Sequence, residues 1–312
     1  MLIVGSGDVA RRLVTQIGLA DRVRWIGLAR TTERVEALRQ IGILPIDGDL
    51  DFRPSLRRAG ALARSSAACV LLAPPPGEGR DDPRVRRWLA ASVARARPPS
   101  HRDVPRHPRR AARPLHSVYV STTGVYGDCA GEVIDETRRL RPTSARAQRR
   151  VAAEQRLRGA PGRRSAILRA PGIYAAERLP VERLRAGTPA LVVEDDVFSN
   201  HIHADDLARA IWFALFRGAS QRSYNVVDDA QWRMGDYFDR VARAVGLPAP
   251  RRLPRAQLVR EVSPMLYSFM SESRRILNRR LKRELRLRLT WPTPDVLLRP
   301  LKPAAALQRS LL

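Results

Sequence analysis

The 312-residue sequence predicts an α/β fold, a parallel sheet with helices on both faces, followed by a smaller C-terminal region. Three observations carry this expectation. Short apolar runs alternate with segments of helical period through the first 170 residues, the pattern of repeated strand–helix–strand units. A glycine-rich turn, Gly5-Ser6-Gly7, directly follows the first apolar run. The run 68–73 is apolar throughout and stops at three prolines, as a strand buried on both faces does.

Residues 1–4 are the first predicted strand, and Val9, Leu13 and Ile17 set the period of the helix after the turn. Residues 23–29 are the second strand, and Thr31 or Thr32 caps a helix running to Gln40. Residues 43–46 form a short third strand ending at Asp47-Gly48-Asp49. The run 68–73 is the fourth strand, and 84–96 form a helix. Residues 97–114 hold many prolines and arginines without an apolar period and read as a loop. Strand 116–121, helix 144–158 and strand 167–169 continue the series, joined by right-handed crossovers. Beyond about residue 171 the pattern mixes. Extended pieces fall at 191–193 and 197–199, helices at 205–217 and 235–245, and a basic helical stretch at 262–288. This gives a first domain of 1–170 to which 200–230 return, a smaller region of 171–199 and 231–300, and a tail of 301–312.

A hydrophobic content of 44% excludes a disordered chain. Two cysteines and five histidines exclude a disulfide scaffold and offer no metal centre. The start carries no secretory pattern, and no apolar run approaches the roughly 18 residues of a membrane span. A cytoplasmic protein without a membrane partner is the expectation. The net charge of +26 raises nucleic-acid binding. Lysine, however, occurs only at 282 and 302, leaving 55 arginines among the 57 basic residues, a bias that codon usage explains as readily as a selected surface. The richest stretches, 77–116 and 274–288, interleave no aromatic platform. No specific nucleic-acid partner is expected, only salt-sensitive polyanion binding.

Gly5-x-Gly7-x-x-Ala10 sits between a strand and a helix, the context in which this spacing binds a dinucleotide. Gly5 permits the tight turn, Gly7 lets the backbone approach a pyrophosphate, and Ala10 keeps the helix close to the sheet. The helix opening at Asp8 and Val9 supplies amide donors and a positive end. The second strand ends at Ala29-Arg30-Thr31, with no acid to bind a ribose 2′-hydroxyl. Arg30, with Arg34, would pair with a 2′-phosphate, so NADP is favoured over NAD. Asp49 either accepts a hydrogen bond from the adenine amino group or caps the following turn.

At Ser121-Thr122-Thr123-Gly124-Val125-Tyr126-Gly127 the chain resembles the extended short-chain dehydrogenase/reductase superfamily, in its NAD-dependent epimerase/dehydratase group. The glycine turn, Asp47-Gly48-Asp49-Leu50, Pro142-Thr143-Ser144 through Glu154, Leu168 to Tyr174, His201 to Ala208, and Tyr224-Asn225-Val226 extend the likeness over roughly residues 1–300. The resemblance implies a Rossmann-type parallel sheet, a smaller C-terminal substrate-binding region, a nicotinamide cofactor and a small-molecule substrate. A homodimer is compatible with it. It places Leu50, Ala73, Pro74 and Pro171 beside the cofactor, and Thr123, Tyr126, Tyr174 and Arg178 beside the substrate. The family's Ser/Thr position falls on Thr122. By register from Ser144 and Glu154, the family's active-site tyrosine position falls on Arg146 and its lysine position on Arg150.

That departure matters, because a guanidinium stays protonated near neutral pH and cannot shuttle the proton a phenol shuttles. Three explanations stand open. The proton donor has moved, to Tyr126 or Tyr174, with Arg146 stabilising oxyanion charge. Or the chain binds NADP(H) without turnover, as a sensor or structural protein. Or the substrate is acidic, with Arg146, Arg149 and Arg178 as its anion site. The first and third are compatible. Arg150 could hold the nicotinamide ribose in any of them. Sugar-nucleotide epimerisation or dehydration is a further alternative that also needs an acid/base. His201 and His203 alternate, one fixing the loop before Asp205 and Asp206, either of which caps the next helix. Cys69 is expected in the core and Cys129 in an exposed loop.

Overall fold

A computed structural model describes residues 1–16, 23–92 and 115–301. Ile17, the end of the predicted helix 84–96, the predicted loop 97–114 and residues 302–312 of the tail lie outside them. The strands are β1 (Leu2–Val4), β2 (Ile26–Ala29), β3 (Leu44–Asp47), β4 (Ala68–Leu71), β5 (Leu115–Thr122), β6 (Val133–Ile134), β7 (Arg163–Ala170), β8 (Gly172–Tyr174), β9 (Ala190–Leu191), β10 (His201–His203), β11 (Ser223–Asn225), β12 (Arg252–Leu253) and β13 (Arg275–Ile276). The helices are α1 (Asp8–Gln16), α2 (Thr32–Gln40), α3 (Arg57–Ser65), α4 (Pro83–Ser92), α5 (Ala145–Gly159), α6 (Val181–Arg185), α7 (Ala204–Arg217), α8 (Met234–Ala244), α9 (Arg255–Glu261), α10 (Pro264–Met270), α11 (Arg279–Arg283) and α12 (Asp295–Leu298).

Seven strands form one sheet in the order β11-β7-β5-β4-β1-β2-β3, in which β1 pairs parallel with β2 and β4, β2 with β3, and β4 with β5. The expected α/β, Rossmann-type architecture is therefore present. The strand order reverses at β1, between β2 and β4, and sheets of this kind bind ligands beyond the carboxyl ends of the strands at such a reversal.

The chain divides into two compact units. The first comprises Met1–Val120, Arg149–Ile167 and Ile211–Arg222. Its core joins Leu2 and Val4 of β1 to Cys69 and Leu71 of β4, Ala59 and Ala63 of α3, Trp88 of α4, and Ala153 and Leu157 of α5, all under 4% exposed. The second comprises Ser121–Gln148, Leu168–Ala210 and Ser223–Leu312. Its core gathers Leu184, Leu191, Tyr237, Phe238, Val241, Leu253, Leu258 and Met270. Three two-stranded parallel pairs, β8–β10, β9–β12 and β6–β13, are built from it.

Three expectations for the second unit need correction. The basic stretch 262–288 is not one helix. Ser271 closes α10, and residues 272–277 then run as an extended strap along 128–134, because the strap offers backbone and side-chain partners at nearly every step. The Cys129 and Gly131 amides donate to Ser273 O at 3.1 and 3.0 Å, Asp128 Oδ1 accepts from the Ser273 amide at 2.7 Å, and Arg274 donates to Gly127 O at 2.7 Å. The same strap buries Cys129, at 3% exposure, although its place in the loop after Tyr126-Gly127-Asp128 suggests exposure. Of the extended pieces expected at 191–193 and 197–199, only Ala190–Leu191 is a strand, and Phe198 makes a single antiparallel bridge with Arg233.

Candidate functional site

The cofactor-side candidates belong to the first unit, apart from Pro171, which lies in the second. Gly5 has φ +102°, and a Cβ on it would lie 2.3 Å from the Ala73 amide nitrogen, so only glycine brings the end of β1 this close to the end of β4. A Cβ on Gly7 would meet nothing within 4 Å. The space above Gly7 is thus open at the place where backbone must approach a phosphate. Ala10 is buried, as close packing of α1 on the sheet requires. Asp8 would repel a phosphate at the start of α1, but Arg11 and Arg12 draw its carboxylate away at 2.7 and 2.9 Å. Val9 follows it in the first turn.

Arg30 is exposed just past β2. Thr31 caps α2 by accepting from the Arg34 amide, and the Arg34 guanidinium donates to Ser6 O at 3.1 Å, so this arginine reaches the glycine turn itself. Asp49 turns the chain after β3: its Oδ1 accepts the Asp51 amide at 2.8 Å, the turn-capping alternative, and its own amide donates to Ser55 Oγ. Leu50 O accepts from Arg87 at 3.2 Å, while Arg84 grips Asp51 through both carboxylate oxygens and also holds Pro74 O at 3.0 Å. Asp51, Arg84 and Arg87 were not singled out in the sequence, where the abundance of arginine hides them. These residues fit a dinucleotide: a glycine turn with open space, a helix N-terminus, and guanidinium groups rather than a carboxylate beyond β2.

Arg150 donates through Nη1 to the Tyr119 hydroxyl and to Val120 O, both at 3.0 Å. Burial pushes the Tyr119 phenol up to about 12 despite the neighbouring guanidinium. Arg150 is therefore tied to β5 at two points.

The substrate-side candidates belong to the second unit. Thr122 ends β5, and its Oγ1 accepts the Gly124 amide at 3.2 Å, capping the turn Thr123–Tyr126. That bond uses a lone pair and leaves the hydroxyl proton for another acceptor. Thr123 is buried. Tyr126 is 1% exposed, and its hydroxyl donates to Asn225 Oδ1 at 2.6 Å and accepts from Arg169 at 2.9 Å. Tyr174 is equally buried and donates to Trp291 O at 3.4 Å, and burial, then the charges of Asp228 and Asp206, raise its pKa far above the usual phenol range. Both phenols thus have the geometry of packed aromatics with occupied hydroxyls. Arg146, exposed at the start of α5, lays its guanidinium over the Phe269 ring of α10, 4.2 Å from the centroid. Phe269 carried no signal in the sequence. Arg178 is exposed at the end of the turn Ala176–Arg178, and Pro171 separates β7 from β8.

His203 rather than an aspartate receives the Asp205 amide at the start of α7, through Nδ1 at 3.2 Å. Asp206, fully buried, instead accepts the Thr290 and Trp291 amides and Arg209. Cys69 is core, its thiol pushed up to about 12 by burial. Among the described residues no group of three or more His, Cys, Asp or Glu could hold a metal, and no helix is long and apolar enough to cross a membrane. Much of the basic stretch 274–288 is used internally: Arg274 pairs with Glu272 at 2.6 Å, Lys282 with Asp229 at 2.5 Å, and Arg280 holds Ser223 O at 3.3 Å.

No family model and no curated protein matches the chain. Solved structures do. A functionally unknown conserved protein from Silicibacter pomeroyi is 30% identical over 96% of both chains, with a TM-score of 0.76. A putative NAD-dependent epimerase/dehydratase from Methylobacillus flagellatus is 22% identical over 98% of both, at 0.67. The human epimerase family protein SDR39U1, solved with NADPH, is 16% identical over 96% of this chain and 99% of its own, at 0.66. The chain belongs to one family with the Silicibacter pomeroyi protein, and its fold is that of the extended short-chain dehydrogenases/reductases of the NAD-dependent epimerase/dehydratase type.

Proposed function

We propose that this protein binds NADP(H) and acts as an oxidoreductase on a small carbonyl or alcohol in the cytoplasm, with a site that lacks the usual tyrosine. The observation that carries the reading is the glycine turn with open space over Gly7 and, beyond β2, Arg30 and Arg34 in place of an acid. The NADPH in the human structure of the same fold supports the choice of cofactor. Bound at the turn, the cofactor would supply or accept a hydride. The chain's own residues do the rest. The α1 amides and Arg34 hold phosphate. Thr122 offers a hydroxyl proton to orient a substrate oxygen. Arg146 offers fixed positive charge to a developing oxyanion but no transferable proton.

A second reading, an NADP(H)-binding protein without turnover, draws on Tyr126 and Tyr174, whose hydroxyls are buried and engaged. Titration of NADPH and NADH by tryptophan fluorescence tests the shared part. NADPH should bind more tightly, and Arg30→Ala should weaken it by roughly 1–3 kcal/mol while hardly touching NADH. Equal affinities for the two would sink the NADP assignment. A panel of small aldehydes and ketones with NADPH then separates enzyme from silent binder.

A further inference from the structure

Three arginines grip the loop that follows β4 at the strand-order reversal, and they are not equivalent. Arg84 answers Asp51 and Pro74 O. Arg156 answers both oxygens of Asp81, at 3.1 and 2.7 Å. Arg149, seven residues before Arg156 on the same face of α5, is 6% exposed, yet it has one partner among the described residues, the neutral Gly79 carbonyl at 2.7 Å. Its Nε is buried without a partner. A guanidinium carries five N–H donors in a planar fork, and burying it against a single neutral oxygen leaves its charge and its Nε donor unanswered by the described residues. The loop's buried carboxylate does not supply the answer. Asp82 uses Oδ1 on the Arg84 and Val85 amides of α4, and its Oδ2 meets no donor.

We propose that Arg149 is an oxyanion-binding residue, completed by a carboxylate or phosphate group of a ligand held beside the 73–82 loop. The loop fits the role. Gly77 and Gly79 are exposed, and a Cβ on either would meet nothing within 4 Å, so ligand atoms can approach the backbone that covers the guanidinium. A two-oxygen anion matches the fork where a carbonyl cannot. The site rests on the cofactor reading only in its position, beside the loop at the β1–β4 reversal. Its anion can come from the dinucleotide's own phosphates or from an acidic substrate.

The test uses the full chain labelled with 15N-arginine and inorganic phosphate as probe, at constant ionic strength with chloride exchanged. The Arg149 Nε–H signal is assigned by its loss in Arg149→Lys. The expected result is a shift of that signal that saturates with phosphate while those of exposed arginines drift without saturating. Arg149→Gln should weaken the saturable binding by about tenfold to a hundredfold, with the circular dichroism spectrum unchanged. A signal that never saturates, or binding unaffected in Arg149→Gln, overturns the proposal and leaves Arg149 as a loop clamp. Repeating the titration with saturating NADPH identifies the source. If NADPH alone reproduces the shift and blocks phosphate, the anion is the dinucleotide's; if phosphate and acetate still shift the signal, it is the substrate's. Fluorescence titration of NADPH in the same samples keeps the two readings apart. Saturable phosphate without NADPH binding sinks the cofactor reading and keeps the anion site.

Discussion

The two units solve the same problem with different materials. In the first, strands of three to eight residues and helices of nine or more pack apolar faces together, and arginines on those helices, such as Arg34, Arg84, Arg149 and Arg150, reach out to grip backbone carbonyls of turns and strand ends. In the second, several strands are two or three residues long, and buried polar side chains hold them in place. Asn225 alone accepts from Tyr126, donates to Leu277 O, and offers its amide to Glu136. A site built on the first kind of scaffold owes its shape to backbone. One built on the second owes it to a network in which each hydroxyl already has work. Mutations in the two should therefore fail differently.

The largest contrast is expected within the first unit, between two glycines two residues apart. Gly5→Ala forces a Cβ to 2.3 Å from the Ala73 nitrogen at φ +102°, and should cost roughly 3 kcal/mol or more in urea unfolding. Gly7→Ala meets nothing and should leave stability within about 0.5 kcal/mol, yet weaken NADPH by at least about tenfold, because the new methyl occupies the approach to the phosphates. If both variants unfold alike, the turn is only structural.

The next effect tests the second unit's network. Tyr126→Phe leaves Arg169 and Asn225 each short of a partner inside the protein and should cost about 1–3 kcal/mol, with NADPH affinity near wild type. Complete loss of a measured turnover without loss of stability would instead make Tyr126 the relocated proton donor.

Much of the first unit was legible because periodicity reports helices and buried strands, and because a glycine turn between them has few other uses. Strands β1 to β5 and the positions of Gly5, Gly7 and Ala10 follow from that pattern. The second unit was harder to read. A two-residue strand such as β13 has no period to detect, and the strap 272–277 owes its extended course to Asp128 and Gly127, some 145 residues away. The alternation of His201 and His203 was visible, but not that their rings face Tyr237 at 4.2 Å and Trp291 at 4.3 Å. Arg149 could be named from the sequence, beside Arg146 and Arg178, as part of an anion site, but not that it is buried against a lone carbonyl with its Nε unanswered.

A pH dependence sharpens the comparison. His201 is buried against Tyr237, and burial lowers its pKa to about 4. A histidine whose folded pKa lies below its unfolded value is stabilising relative to its protonated form above about 6.5, and that stability is lost as pH falls from there toward 4. At pH 5 the loss should be about 2 kcal/mol. Asp228, Glu136 and Asp196, raised by burial, act in the opposite sense and gain stability on acidification, so the wild-type curve alone mixes the two. The difference between wild type and His201→Phe isolates the histidine. Thermal unfolding at pH 7 and pH 5 should show the variant losing less on acidification. Parallel losses in the two proteins would place the acid sensitivity elsewhere.

The smallest expected effect on stability falls on Arg146, the residue to which the proposed chemistry gives the oxyanion charge. Arg146 is exposed and its cation–π contact is with Phe269, itself 44% exposed, so Arg146→Gln should cost no more than about 1 kcal/mol. A change that small leaves the fold intact and makes activity readable. If Arg146 holds oxyanion charge, Arg146→Gln lowers turnover and leaves NADPH affinity unchanged, because the glycine turn and Arg34 are untouched. The reverse substitution separates a changed site from a decayed one. Arg146→Tyr puts a phenol at the head of α5, and Arg150→Lys puts an ammonium one turn on, at the expense of the double contact to Tyr119 and Val120 O. A gain of carbonyl reduction in the double variant means that the wild-type site lost a proton donor and nothing took its place. Wild-type activity that both variants abolish means that the guanidinium is itself the working group, and that the substrate brings enough negative charge, or gathers enough in the transition state, for a residue that cannot give up a proton to be the right one.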